Sequence, residues 1–130
     1  MTMDTVRKIN HELAIAGQIT AEQIQQITEE GYKSVLNLRS PEERGLLDNE
    51  KSKLEYLGLG YVNLPIKFEE INHQTTLQVL QKINELPKPI LIHCDNSIRS
   101  SVIALLYIAT KQGISFEKAL ELSNNLGLLH

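Results

Sequence analysis

Ile90-Leu91-Ile92-His93-Cys94-Asp95-Asn96-Ser97-Ile98-Arg99-Ser100-Ser101 is the stretch on which the reading of the chain turns. It opens on three apolar residues without a break, as expected of a central strand covered on both faces. From about Arg99 or Ser100 a helix follows, with Val102, Ile103, Leu105, Leu106 and Ile108 making it so apolar that it must be largely buried. Between strand and helix stand a thiol, a carboxylate, an amide and a guanidinium. Open α/β sheets bind ligands beyond the carboxyl ends of their strands. Loop amides and a helix N-terminus aimed at one spot favour an anion there. Arg99 adds a planar, permanently charged fork that matches phosphate oxygens.

The same electrostatics act on Cys94. A free thiol has a pKa of about 8.5, and helix N-termini and nearby cations lower it. Thiolate is the nucleophile, so one arrangement serves both to bind a dianion and to activate its attacker. Ser100 is placed to donate a hydrogen bond to the sulfur. A phosphate monoester held here would lose its alkoxide to give phosphocysteine, which water then hydrolyses. No step calls for a metal or other cofactor. The competing reading is that Cys94 simply packs, as free cysteines usually do. Its place at a strand-to-helix switch, followed by polar residues and an arginine, argues against core filling.

Outward from this stretch, strands alternate with helices, which implies an α/β domain with a mainly parallel sheet flanked by helices. Thr20 caps a helix with Gln23 completing a capping box and Ile19 and Ile24 forming a hydrophobic staple; Ile24 and Ile27 face inward and Gly31 ends it. Residues 34–39, Ser-Val-Leu-Asn-Leu-Arg, alternate as a buried strand. Ser40-Pro41-Glu42-Glu43 reads as a second helix start running to about Leu57, and Gly58 and Gly60 turn the chain into a strand over residues 61–64. A helix over residues 75–85 with Leu77, Leu80 and Ile83 inward precedes Pro87-Lys88-Pro89. Residues 6–9 and 13–16 read as a hairpin or edge strands, and Ser115 starts a last helix that frays near Gly127.

Composition limits the alternatives. With 130 residues, 42% hydrophobic and 22% charged, the sequence suits one globular domain spanning residues 1–130 rather than a disordered segment. A net charge of -3 with no basic block argues against a nucleic-acid or anionic-membrane surface. Cys94 is the single cysteine, so no internal disulfide forms, which points to a reducing compartment. Residues 1–8 lack the apolar run of a signal peptide, and the most apolar stretch, 102–109, is too short to span a bilayer. The expected location is therefore cytoplasmic. His11, His73 and His130 show no ligand spacing, so no zinc site is expected.

The order His-Cys, four residues, Arg-Ser resembles the signature loop of the beta-lactamase-hydrolase-like phosphatases, a branch of the dual-specificity and tyrosine phosphatase superfamily. The likeness extends to Ile9-Asn10-His11-Glu12-Leu13-Ala14-Ile15-Ala16-Gly17-Gln18 and to Gly31-Tyr32-Lys33-Ser34-Val35-Leu36-Asn37-Leu38-Arg39, and covers residues from about 5 to 125. It implies a four- or five-stranded sheet with helices on both sides, in a three-layer arrangement. By the same resemblance Cys94 is the nucleophile, Arg99 grips phosphate and transition state, and Ser100 assists the thiolate. The amides of Asp95, Asn96, Ser97, Ile98 and Arg99 form the cradle, and His93 supports Cys94 from behind. The chain departs from that branch at Ser97, where glycine is usual. It also carries Asp95, a carboxylate beside the incoming dianion.

Phosphatases of this superfamily protonate the leaving alkoxide with an upstream aspartate, yet no aspartate lies between Tyr61 and Cys94. Glu69 and Glu70, in a loop after a strand, are the candidate acids; the alternative is two solvated carboxylates. Arg39 ends a core strand and either lines the mouth or pairs with Glu42 or Glu43. The function expected is that of a cysteine-dependent phosphomonoesterase acting on a phosphorylated small molecule or phosphoprotein. The alternatives are a non-catalytic phosphate- or partner-binding module descended from such an enzyme, and a rhodanese-like sulfurtransferase using a persulfide on Cys94.

Overall fold

The structure is a computed structural model that describes residues 6–43, 45–47 and 49–125. Five strands, β1 (Val6–Lys8), β2 (Leu13–Ala16), β3 (Ser34–Asn37), β4 (Gly60–Asn63) and β5 (Ile90–His93), make one sheet in the order β1-β2-β5-β3-β4. Only the β1–β2 pairing is antiparallel; β2–β5, β5–β3 and β3–β4 run parallel. The α/β class with a mainly parallel sheet is as expected, with five strands. Register aligns Ala16, His93 and Asn37 across neighbouring strands, and Asn37 with Asn63, so four carboxyl ends form one rim. Whatever follows β5 leaves from the middle of that rim.

The helices are α1 (Ala21–Glu29), α2 (Glu50–Tyr56), α3 (His73–Glu85), α4 (Ile98–Lys111) and α5 (Phe116–Asn125). Period-two alternation decides which of them each strand residue meets. Ile90 and Ile92 share a core with Leu13, Ile15 and Leu36 and with Val79 and Ile83 of α3 and Ile103 of α4. Leu91 turns the other way, to Ala14, Ala16 and Val35, to Ile24 and Ile27 of α1 and to Leu54 of α2. The sheet is thus covered on both faces. Ile90, Leu91 and Ile92 have no exposed surface. Burying such side chains contributes roughly 1.5–3 kcal/mol each, which anchors the strand that carries the loop. α5 packs on the outside of α4, Phe116 and Ala119 meeting Val102, Leu106 and Ala109. Among the described residues, no helix is long and apolar enough to cross a membrane.

Local signals account for several boundaries. Thr20 and Gln23 form the reciprocal capping box at the start of α1, Gln23 N donating to Thr20 Oγ1 at 3.2 Å and Thr20 N to Gln23 Oε1 at 2.9 Å. Gly31 then takes a φ of 94°, which a Cβ would oppose. Asn10 closes the β1–β2 connection, its Oδ1 accepting from the amides of Glu12 and Leu13.

Two expectations are corrected. The helix expected from Ser40 to Leu57 is confined to α2. Ser40 and Glu43 form a turn in which Ser40 N donates to Glu43 Oε2 as a capping box would, but Gly45 sits at φ 80° and Asn49 at φ 60°, outside helical space. Leu77 is half exposed rather than inward: α3 begins at His73 under an Asn72 cap, and its buried face is Thr76, Val79, Leu80 and Ile83. Of the two alternatives for residues 6–9 and 13–16, the structure shows the hairpin, β1 pairing antiparallel with β2, and β5 covers the far side of β2. The fraying placed near Gly127 lies outside the described residues.

Candidate active site

The parity that buries Ile90 and Ile92 on the α3–α4 side carries Cys94 to that side as well, within the same apolar cluster. Its neighbour His93 follows Leu91 to the opposite face, where α2 supplies Glu50. The last residue of β5 and the first residue after it therefore reach two layers that the sheet separates. Entry to the loop is pinned on both sides: Cys94 N donates to Ala16 O at 3.1 Å, and Leu38 N donates to His93 O at 3.0 Å. Gln18 N donates to Asp95 O, and a Cβ on Gly17 would stand 2.8 Å from that oxygen. Glycine is thus required where the end of β2 meets the loop.

Ser97, the N-cap of α4, adopts φ 70° and ψ -3° and makes no side-chain cap bond. This is the position at which glycine was expected by resemblance, and the backbone keeps the left-handed conformation with serine in place. Asn96 Oδ1 accepts from Ile98 N, and Asp95 Oδ1 from Asn96 N at 2.8 Å.

Cys94 has no exposed surface, and its sulfur lies 3.6 Å from Ser100 Oγ. Ser100 faces two further acceptors, Ser97 O at 3.0 Å and Ala16 O at 3.2 Å. One hydroxyl proton is thus shared among two carbonyls and, when ionised, the sulfur. A thiolate, as the strongest acceptor of the three, draws that proton most strongly.

Arg99 is nearly buried and held on several sides. Its Nη1 donates to Glu43 Oε2 at 3.0 Å and to Ile66 O at 3.1 Å; Nη2 donates to Glu43 Oε1 at 2.8 Å and lies 3.1 Å from Asp95 Oδ1. Hydrogen bonds from Arg99, with those of Ser40 N and Arg39, hold the Glu43 carboxyl down to about 2 against the opposing effect of burial. The guanidinium is pushed further into its charged form by Glu43 first and Asp95 second.

From Glu43 a polar chain runs beneath the rim. Arg39 Nε donates to Glu43 Oε1 at 2.9 Å and Arg39 Nη1 to Gln18 Oε1 at 2.7 Å. Gln18 Nε2 donates to Glu50 Oε1 at 3.1 Å, and Glu50 Oε2 lies 2.6 Å from His93 Nε2. A carboxylate only accepts, so that imidazole nitrogen donates. His93, Glu50 and Arg39 are all buried. The guanidinium behind the loop and the imidazole before the cysteine are therefore ends of one network.

Of the two alternatives for Arg39, the structure shows the pairing with Glu43. Glu69 and Glu70 sit exposed on a short 3₁₀ turn (Phe68–Glu70), Glu70 Oε1 accepting from Lys67 N. Among the described residues, no hydrogen bond or ion pair joins either carboxylate to the loop; that segment reaches the site through Ile66 O. No role is expected from the sequence for Gln18 or Glu50. Glu43 was visible as a partner for Arg39. Glu50 carried no signal, since a carboxylate in a polar stretch reads as solvated until its distant partner is known.

No family model matches the chain. A Beta-lactamase hydrolase-like protein of Agrobacterium fabrum (strain C58 / ATCC 33970) is 30% identical over 102 residues, covering 76% of this chain. The chain spans about a quarter of that relative's length (24%). Among solved structures, a DUF442 protein of Shewanella putrefaciens CN-32 superposes with a TM-score of 0.77 at 20% identity, over 96% of this chain and 86% of that one. Tk-PTP in its active form gives 0.72 at 19% identity, over 92% and 82% of the two chains. The chain has the dual-specificity and tyrosine phosphatase fold. P. aeruginosa TpbA, solved in complex with pTyr, shares this phosphatase fold at a TM-score of 0.72 and 18% identity, over 90% and 70%. The resemblance read from the His-Cys and Arg-Ser motif thus meets a sequence relative of the same description and structural neighbours of the same architecture.

Proposed function

We propose that the chain is a cysteine-dependent phosphomonoesterase of the dual-specificity and tyrosine phosphatase type. One observation carries this: the loop at the carboxyl end of the central strand sets the Cys94 sulfur 3.6 Å from Ser100 Oγ, and Arg99, in the same first turn of α4 as Ser100, is fixed by Glu43. In this reading the phosphoryl group rests on the amides of Asp95, Asn96, Ser97, Ile98 and Arg99. The Cys94 thiolate attacks phosphorus, the bond to the ester oxygen breaks, and its electron pair leaves on the alkoxide. Water then attacks phosphocysteine, and the sulfur departs as thiolate with the Ser100 hydroxyl donating to it. Glu43 keeps Arg99 oriented so that its charge is preorganised for the equatorial oxygens. Glu69 or Glu70 protonates the leaving alkoxide, a role that requires the 3₁₀ turn to bring one carboxylate over the loop.

Structural neighbours with bound ligands favour phosphate monoesters as the substrate class: TpbA is in complex with pTyr and PTPMT1 with PI(5)P. A phosphorylated small molecule or a phosphoprotein both fall within it. The buried sulfur and the Asp95–Arg99 ion pair favour a second reading, a phosphate-binding module without turnover. Turnover of p-nitrophenyl phosphate separates the two. The first reading expects hydrolysis that Cys94→Ser abolishes; turnover undiminished in that variant removes the nucleophile. Glu69→Gln and Glu70→Gln test the acid, because alkyl phosphates need it more than aryl ones.

A further inference from the structure

We propose that Asp95 is a specificity-determining residue of the candidate phosphate loop, an internal carboxylate that an incoming phosphoryl group must displace and that then favours substrates bearing a cationic group beside the phosphate. The inference rests on the phosphate-loop reading above and adds to it what the loop selects. Asp95 Oδ1 takes two kinds of donor that a phosphate oxygen would use: the amide of Asn96 at 2.8 Å and Nη2 of Arg99 at 3.1 Å. The resting loop thus holds an anionic group of its own.

Comparison with Glu43 separates a fixed carboxylate from a displaceable one. Glu43 binds both Nη atoms of Arg99, Arg39 Nε and the Ser40 amide, and its side chain is 23% exposed. Asp95 has the two contacts just given and is 47% exposed. Its backbone, however, is anchored: Asp95 O accepts from Gln18 N, and Gly17 packs against it. The displaced carboxylate therefore swings about its own side-chain torsions and stays beside the loop. There it repels a second anionic group on the substrate and attracts an ammonium or guanidinium.

The charges on these partners point the same way. Among the described residues, the ion pairs Arg39–Glu43, Arg99–Glu43 and Arg99–Asp95 set two guanidiniums against two carboxylates, one of them Asp95. Removing the Asp95 charge leaves one positive charge in excess where the dianion arrives.

The test uses Cys94→Ser protein, so that phosphate esters persist, alone and combined with Asp95→Asn or Asp95→Ser. Inorganic phosphate is titrated while the amide NMR signals of residues 95–99 are followed. Two blocked phosphotyrosine dipeptides, one with lysine and one with glutamate beside the phosphotyrosine, are then compared at low ionic strength. Affinity for phosphate should rise at least fivefold in both Asp95 variants. The preference for the lysine dipeptide should be threefold or more with Asp95 present and fall towards one without it. Equal phosphate affinity with and without Asp95, or an unaltered dipeptide ratio, overturns the proposal. Phosphate that moves none of these amides in any of the proteins removes the phosphate loop itself, and this proposal with it.

Discussion

Glu43 holds Arg99 through both carboxylate oxygens, at 3.0 Å to Nη1 and 2.8 Å to Nη2, across a separation of 56 residues. The same carboxylate accepts from Arg39, so two arginines from different parts of the chain are fixed by one residue in a turn. An arginine oriented before the ligand arrives needs no reorganisation when charge develops, which is the physical use of such a clamp.

Stability should follow the ionisation of Glu43. Its carboxyl is lowered from 4.5 to about 2 in the folded protein. A depressed folded value means that the stabilisation is fully present above the unfolded value and is lost as pH falls from there through about 2. Glu43→Gln should therefore destabilise by about 2 kcal/mol at neutral pH, the scale of hydrogen bonds to charged groups. Chemical denaturation of both proteins between pH 7 and pH 2 reads the effect. The gap should close at the acid end; a gap independent of pH would show that the charge of Glu43 is not what holds Arg99.

The Glu50–His93 pair makes a different prediction because it is buried on both sides. Removing one partner of such a pair strands the other and costs roughly 3–5 kcal/mol, whereas replacing both by apolar residues of similar size is close to neutral. Glu50→Leu should be strongly destabilising, and Glu50→Leu combined with His93→Leu should recover a large part of the loss. Thermal unfolding measures both. If the double variant lost the sum of the two single losses, the pair would be energetically uncoupled.

Ser97 offers a stabilising change. A non-glycine residue in the left-handed region costs about 1–2 kcal/mol, and glycine gives back roughly 0.5–1 kcal/mol through the flexibility of its unfolded state. Ser97 makes no cap bond that would be lost. Ser97→Gly should gain about 0.5–1 kcal/mol, while Ser97→Val at φ 70° should lose more than that. Urea unfolding midpoints check the order; a Ser97→Gly protein less stable than the parent would mean that the serine hydroxyl holds the loop.

Much of the architecture was legible because local rules fixed it. The apolar run Ile90-Leu91-Ile92 announced the central strand. The reciprocal hydrogen bonds of Thr20 and Gln23 started α1 where the sequence placed it. Period-two alternation sent Cys94 and His93 to opposite faces of the sheet, and the switch from strand to helix located the loop. These signals act over a few residues, so they survive without knowledge of the fold.

What only the tertiary structure decided was the pairing of polar groups far apart in sequence. Glu43 with Arg99, Glu50 with His93 across 43 residues, and Gln18 with Glu50 across 32 leave no periodic trace, because one carboxylate in a turn or helix looks like any solvated one. The turn over Ser40 and Glu43 does not continue as a helix because Gly45 and Asn49 leave helical space, while its Glu43 carboxylate is held by the neighbouring Arg39 and by the distant Arg99. Local sequence determined where the loop is and which residues it carries; three-dimensional packing decided which charges meet there, since a Coulomb interaction depends on distance in space and not along the chain.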